Sequence, residues 1–354
     1  MTTAIRPIAI YYEHPEWFRP LFVELERRDL PYTLLDAARH TYDPAAHPGF
    51  SLFVNRMSPS AHNRGHGNAI FHTLSYLAHL ERLGVRVVNG ARAYQLETSK
   101  ALQISLLHSL GLPCPRARVI NDASQALAAS EGLRFPVVVK PNVGGSGVGI
   151  VRFDTPAALA RAVDENKIEL GIDHTALVQE FIPARGGHIV RVEVLGGRFL
   201  YAIRVFLAGA SFNLCPADIC VEGSRTQQAD AACPANVVNA GIRVDAYTPP
   251  AEVIHAVERI MQAAGIEVGG IEYVVDDRDG RLLFYDINAL SNFVADADRI
   301  LGFNPYGCLA DYLGQEARKQ VTSLEAVLEA AAAAGERHRR PDHRRWAAGE
   351  GRLA

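Results

Sequence analysis

No run of apolar residues in the sequence is long enough to cross a bilayer, which removes helical membrane proteins from consideration. No sign of charge dominates either. The 36 Lys and Arg against 39 Asp and Glu leave a net charge of -3, so neither nucleic acid nor an anionic membrane surface is an expected partner. Cysteine is scarce, with five in 354 residues. Cys215, Cys220 and Cys233 cluster in one polar stretch without the C-x₂-C pairing or the fourth ligand that a zinc site needs. The few cysteines, and the lack of a signal-peptide hydrophobic region before the first strand, point to a reducing cytoplasm. Internal repeats are absent. What remains is an ordinary globular composition, 48% hydrophobic and 21% charged, over a length that calls for two or three domains.

The stretch FPVVVKPNVGGSGVGIVRF, residues 135–153, organises the chain. Val137 to Val139 form a β-branched run that reads as a buried strand ending on Lys140. Pro141 and Asn142 break it, and Gly144, Gly145, Ser146, Gly147 and Gly149 lead into a second strand over Ile150 to Phe153. Glycines without a Cβ let backbone N–H groups approach an anion, and a lysine at the loop base adds a point charge. The order predicts a phosphate clamp; the alternative is a hairpin tip with no ligand. A Walker A loop has its lysine after the glycines, a dinucleotide fingerprint opens a helix, and a kinase loop precedes its lysine by a strand. None of these fits.

Before that stretch, strands at Ile8–Tyr12, Tyr32–Leu35, Ser51–Asn55 and Val85–Val88 alternate with helices over Phe18–Arg28 and Ala69–Leu83. This alternation predicts a small doubly wound parallel sheet, with ligands expected beyond the carboxyl ends of its strands. Arg56 stands just past the third strand, followed by His62, Arg64 and His66 in a loop rich in Arg, His and Asn. A helix is expected from Glu97 to Leu110 with Lys100 in its first turn, and a strand from Ala176 to Gln179 running into Glu180, Phe181 and Ile182. A hairpin over Val190–Val194 and Phe199–Phe206 follows, then a helix over Pro250–Ala264 and a last one over Tyr306–Leu313. Four segments result: an α/β unit at 1–95, a central lobe at 96–178, a C-terminal lobe at 179–321, and an Ala-rich then charged tail at 322–354 that reads as disordered.

Gly270 to Val275 and Arg281 to Ile287 form two strands around the turn DDRDG. Period-two alternation puts Asp286 and Asn288 on one face, and a hairpin brings Glu272 opposite them. Two carboxylates and an amide oxygen suit Mg²⁺ (or Mn²⁺) held against substrate phosphates.

With both constellations in place, residues 56–313 resemble the ATP-grasp superfamily, and within it the group of the ribosomal-protein glutamate ligase RimK and glutathione synthetase. The resemblance implies an ATP-grasp fold behind the N-terminal α/β domain. It implies that Lys100 and Lys140 bind ATP phosphates, that Gly144 to Gly149 form the flexible loop, and that Gln179, Glu180, Phe181 and Ile182 form the adenine hinge. Arg191 matches an arginine that follows the hinge, while Arg204 and Asn213 match residues facing the reacting phosphate. Glu272, Asp286 and Asn288 match the metal triad. Relatives commonly carry an acidic residue for the ribose at the position of Ile189, with His188 beside it as a substitute here. The implied activity is a carboxylate–amine ligase working through an acyl phosphate, with ATP, a small carboxylate and an amine as partners. Arg56, His62 and Arg64 are the expected anchors for an amino-acid-like or peptide-like substrate. A small-molecule kinase and a non-catalytic ATP-binding module stay open as alternatives, as does a homo-oligomer.

Overall fold

The structure is a computed structural model that describes residues 6–145, 147–206 and 243–320. Ser146, Asn213, the cluster of Cys215, Cys220 and Cys233, and the tail lie outside the described residues.

Strands β1 (Ile8–Tyr12), β2 (Tyr32–Asp36), β3 (Leu52–Arg56) and β4 (Val87–Val88) form a parallel sheet in the order β2-β1-β3-β4. Ile8, Ile10, Leu52 and Val54 turn to one face, against Leu21 and Leu25 of α1 (Pro15–Arg27) and Leu309 and Leu313 of α9 (305–320). Ala9, Tyr11 and Phe53 turn to the other, against Ile70, Leu77 and Leu80 of α2 (Gly67–Arg82). A sheet with both faces covered needs apolar residues at every strand position, which is what these runs supply.

Two short helices follow, α3 (Ala91–Glu97) and α4 (Lys100–Ser109). The single helix expected from Glu97 is broken because Ser99 takes an extended conformation and caps α4, accepting a bond from Leu102 N at 3.3 Å. The central sheet has the order β5-β8-β6-β7, from β5 (Ala117–Ile120), β6 (Val137–Pro141), β7 (Val151–Phe153) and β8 (Ala176–Glu180), and every pairing is antiparallel. Val137, Val139 and Val178 form its own core with Ala126 of α5 (Ala126–Ala129) and Leu159 of α6 (Pro156–Asp164). Thr155 caps α6 as its Thr-Pro start predicts.

The third sheet is β11-β10-β9-β12-β13, from β9 (His188–Leu195), β10 (Arg198–Phe206), β11 (Val244–Tyr247), β12 (Val268–Val275) and β13 (Leu282–Asn288). Val190, Val192 and Val194 pack on Val257, Ile260 and Met261 of α7 (Ala251–Ala264). By alternation Ile189, Arg191 and Glu193 face the other way. The strand β11 and the short helix α8 (Ala297–Leu301) were not foreseen, and the expected last helix over Tyr306–Leu313 runs longer, through 305–320.

The parallel sheet and the third sheet share a core: Ile8, Val54, Ile203, Val205, Phe293 and Leu309 belong to one cluster. Asn89, buried in the left-handed conformation at φ 56°, ties them further. Its Nδ2 donates to the carbonyls of Val268, at 2.6 Å, and Ala289, and its Oδ1 accepts from Glu267 N at 2.9 Å. Arg86 adds ion pairs to Glu267 and Glu316.

Candidate active site

A cleft of ≈ 420 Å³ lies between the central sheet and the third sheet. Its walls follow from strand alternation. On β6, Val138 and Lys140 face the cleft while Val137 and Val139 face the central core. On β9 and β12, Ile189 and Val274 line the end near Glu180–Ile182, and Arg191 and Glu272 line the next rung. The cleft therefore has an apolar end, with Ile182, Ala184, Ile189 and Val274, and a charged end with Lys100, Lys140, Asp286 and Asn288.

The Asp-rich turn closes the β12–β13 hairpin as expected. Asp276 N donates to Arg281 O at 2.8 Å, and Glu272 stands directly opposite Asp286 in the register. Asp286 accepts from Lys100 Nζ and from Asn288 Nδ2, each at 3.1 Å. Glu272 accepts from Arg191 at 2.9 Å and from the Tyr285 hydroxyl at 2.6 Å.

Burial sets the charge states. Lys140 is 5% exposed, and burial together with the charge of Lys100 lowers its pKa to about 7, against the pull of Asp286. For Lys100 burial acts in the same direction, but Asp286 outweighs it and the pKa rises. Burial opposes ionisation of Asp286, yet Lys100 and Lys140 hold it below the ordinary carboxylate range. Burial raises Glu272, with Arg191 offsetting part of the effect.

No group of three or more His, Cys, Asp or Glu able to hold a metal exists among the described residues. Glu272, Asp286 and Asn288 amount to two carboxylates and an amide. Such a partial oxygen set fits Mg²⁺ completed by phosphate oxygens and water, rather than an all-protein cage.

The glycine loop begins at this charged end. Gly144, Gly145 and Gly147 line the cleft. Gly149 does not: at φ +77° it packs where a Cβ would come 2.8 Å from Pro141 Cγ, so it shapes the hairpin instead. Gly145 approaches Ser60, which lines the cleft from the N-terminal side with Trp17, Ser58 and Pro59. The hinge offers the cleft mainly its backbone, because the Glu180 carboxylate is turned away to accept from Arg134 N at 2.9 Å.

Five expected site residues stand elsewhere. Arg56 is the last residue of β3 rather than beyond it, 2% exposed, with Nη2 donating to the Ser291 carbonyl and its guanidinium 5.0 Å from the Phe18 ring. Arg64 is neutralised by buried Glu13, which also bonds His66 at 2.6 Å, and lies 4.9 Å from the Trp17 ring. His62 is bonded to the Pro59 carbonyl at 2.9 Å. Arg204 pairs in register with Val190, so it shares the α7 face of the third sheet, and it stacks 4.1 Å from the Tyr247 ring. It is on the opposite side of the sheet from Arg191. His188 alternates to that same far face and meets the ring of Phe206.

Residues missed by the sequence reading include Trp17, Arg152 and Glu97. Arg152 lines the cleft and stacks 4.4 Å from Phe181, closing the apolar end. Glu97 bonds Leu290 N at 3.3 Å, and burial raises its pKa to about 7.

Residues 97–212 match the family described as the RimK-like ATP-grasp domain. Over that stretch the chain is similar to a RimK-like ATP-grasp domain. The solved structures that share the fold cover nearly all of it. The ATP-grasp ligase PsnB complexed with a phosphomimetic variant of its minimal precursor, Mg and ADP aligns over 89% of this chain and 100% of its own, with a TM-score of 0.62 at 17% identity. A RimK domain protein ATP-grasp from Sphaerobacter thermophilus aligns over 86% and 98%, with a TM-score of 0.60 at 22% identity. A probable alpha-L-glutamate ligase from Teredinibacter turnerae is 30% identical over 165 residues, 46% of this chain and 51% of that protein. The chain thus spans about half the length of the curated relatives it matches. No described helix is long and apolar enough to cross a membrane.

Proposed function

We propose that this ATP-grasp protein is an ATP-dependent ligase that joins a small carboxylate to an amine. The observation that carries the reading is the grading of the cleft: an apolar hinge end leads to two lysines, Lys140 buried and Lys100 half-buried, facing Glu272, Asp286 and Asn288. That order fits a base, then phosphates, then a metal.

In this reading Lys100 and Lys140 bind phosphate oxygens, and Glu272, Asp286 and Asn288 hold Mg²⁺, which neutralises charge on the transferred group. The substrate carboxylate oxygen bonds to the γ-phosphorus as the bond to the bridging oxygen breaks and ADP leaves. The amine nitrogen then bonds to the acyl carbon, phosphate departs, and the amine gives up a proton. Gly144, Gly145 and Gly147, with Gly145 beside Ser60, exclude water that would otherwise hydrolyse the acyl phosphate. The names of the glutamate ligase relatives and the peptide bound to PsnB support an amino-acid-like or peptide-like substrate.

ADP release measured over a matrix of carboxylic acids and amines, with mass spectrometry of products, tests this. Release that needs both an acid and an amine, with an amide product, is expected. Phosphorylated product without an amine would replace ligase by kinase, and nucleotide binding without turnover would leave a binding module.

A further inference from the structure

Glu193 is a carboxylate with no exposed surface at all, on the cleft-facing side of β9 one rung beyond Arg191. A charge that far from water is tolerated only with charge and hydrogen-bond partners. It has both. Its Oε1 accepts from Arg191 Nε at 2.6 Å, and its Oε2 accepts from the Ser291 hydroxyl. The Arg191 Nη1 edge then donates to Glu272 at 2.9 Å. Across the sheet Glu193 faces Gly270, where a Cβ would come 2.9 Å from Arg191 Nη2 and 3.0 Å from Glu193 Oε1. The glycine leaves the volume that the ion pair fills.

The network continues outward. Ser291 accepts from Arg56 through its carbonyl, so Arg56, Glu193, Arg191 and Glu272 form a row of two cations and two carboxylates. With the charges balanced, Arg191 is shared between two carboxylates instead of being claimed by Glu272 alone.

We propose that Glu193 is a positioning residue, with Gly270 as its partner, that holds Arg191 back and so leaves Glu272 able to ligate the divalent cation of the nucleotide complex. The proposal rests on the reading of the cleft as a site for a metal–nucleotide complex. Glu193→Gln keeps the shape and the acceptor toward Arg191, reverses the bond to the Ser291 hydroxyl so that the amide donates it, and removes the charge that competes for Arg191. Gly270→Ala displaces the same pair without removing any charge.

The test is Mn²⁺ binding followed by electron paramagnetic resonance in the presence of ADP, alongside ADP release and thermal melting. In both variants Mn²⁺ affinity should fall ~10-fold or more, with kcat reduced and the KM for ATP nearly unchanged. Raising the cation concentration should restore part of the rate, which a purely structural role would not produce. Folded variants with unaltered Mn²⁺ affinity would overturn the proposal, and so would two variants that merely fail to fold. A wild-type protein that binds no Mn²⁺ with ADP would overturn the reading of the cleft itself, and this proposal with it.

Discussion

Arg191 and Lys140 face the same cleft from opposite walls, yet their surroundings differ. Arg191 bonds two carboxylates, Glu193 and Glu272, within one sheet. Lys140 forms no salt bridge among the described residues, and burial together with Lys100 drives its pKa down to about 7. The cleft-facing charges of the third sheet all have partners within the protein, Asp286 through Lys100 of α4. The central sheet carries a buried cation with no such partner among the described residues. A cation held in that state is worth most when an anion enters, since the attraction then acts in a dry site.

The largest test of this contrast is Lys140→Ala. ADP release should fall by ~10²–10³-fold or more. The melting temperature of the unliganded protein should instead rise by a few degrees, because an uncompensated buried charge is lost. The folded-state pKa lies below the unfolded one, so the cost of Lys140 is full below pH ~7 and fades as pH rises toward ~10.5. The gain in melting temperature should shrink accordingly between pH 7 and pH 9. A variant that turns over normally, or that melts lower, breaks the comparison.

Arg56→Ala probes the support behind that third-sheet wall, where β3 meets Ser291. It should lower the melting temperature by an amount corresponding to about 2–3 kcal/mol, because a cavity opens against Phe18 and the buried Ser291 carbonyl loses its donor, with KM for ATP and for the other substrates little changed in the protein that remains folded. A selective rise in the KM of the carboxylate or amine substrate would return Arg56 to the substrate site.

The smallest effect concerns the apolar end, where Ile189 lines the cleft and His188 faces away. ATP and dATP should be used within about threefold of each other, well under the ~1.4 kcal/mol that a tenfold preference represents. Strong rejection of dATP in a direct comparison of kcat/KM would reveal a hydroxyl contact.

Local pattern carried much of this site. The order strand, lysine, glycine loop, strand gave the β6–β7 hairpin, and the DDRDG turn placed Glu272 opposite Asp286. Arg204 shows where pattern stops. Tyr201, Ile203 and Val205 on one side of β10 and Ala202 on the other are all buried, so apolar alternation does not reveal which face meets the cleft. The register shift between Phe199 and Tyr201 removes even a count from the turn. Arg56 and Arg64 were misjudged for another reason. Their partners, Ser291 and Glu13, are 235 and 51 positions away, and a sequence read locally shows a cation without showing what it bonds.

Asn89 decides how the molecule can move. One side chain serves as a surrogate peptide group for the backbones of β12 and of the segment after β13, so the parallel sheet is stitched to the third sheet at atoms with no slack. Rotation between those two sheets would strand a buried amide. None of these bonds reaches the central sheet, which has a separate core and carries both Lys140 and the glycine loop. In mechanical language two of the three sheets are bolted into one jaw of the cleft, and the facing jaw, which carries Lys140, is left without that bolt.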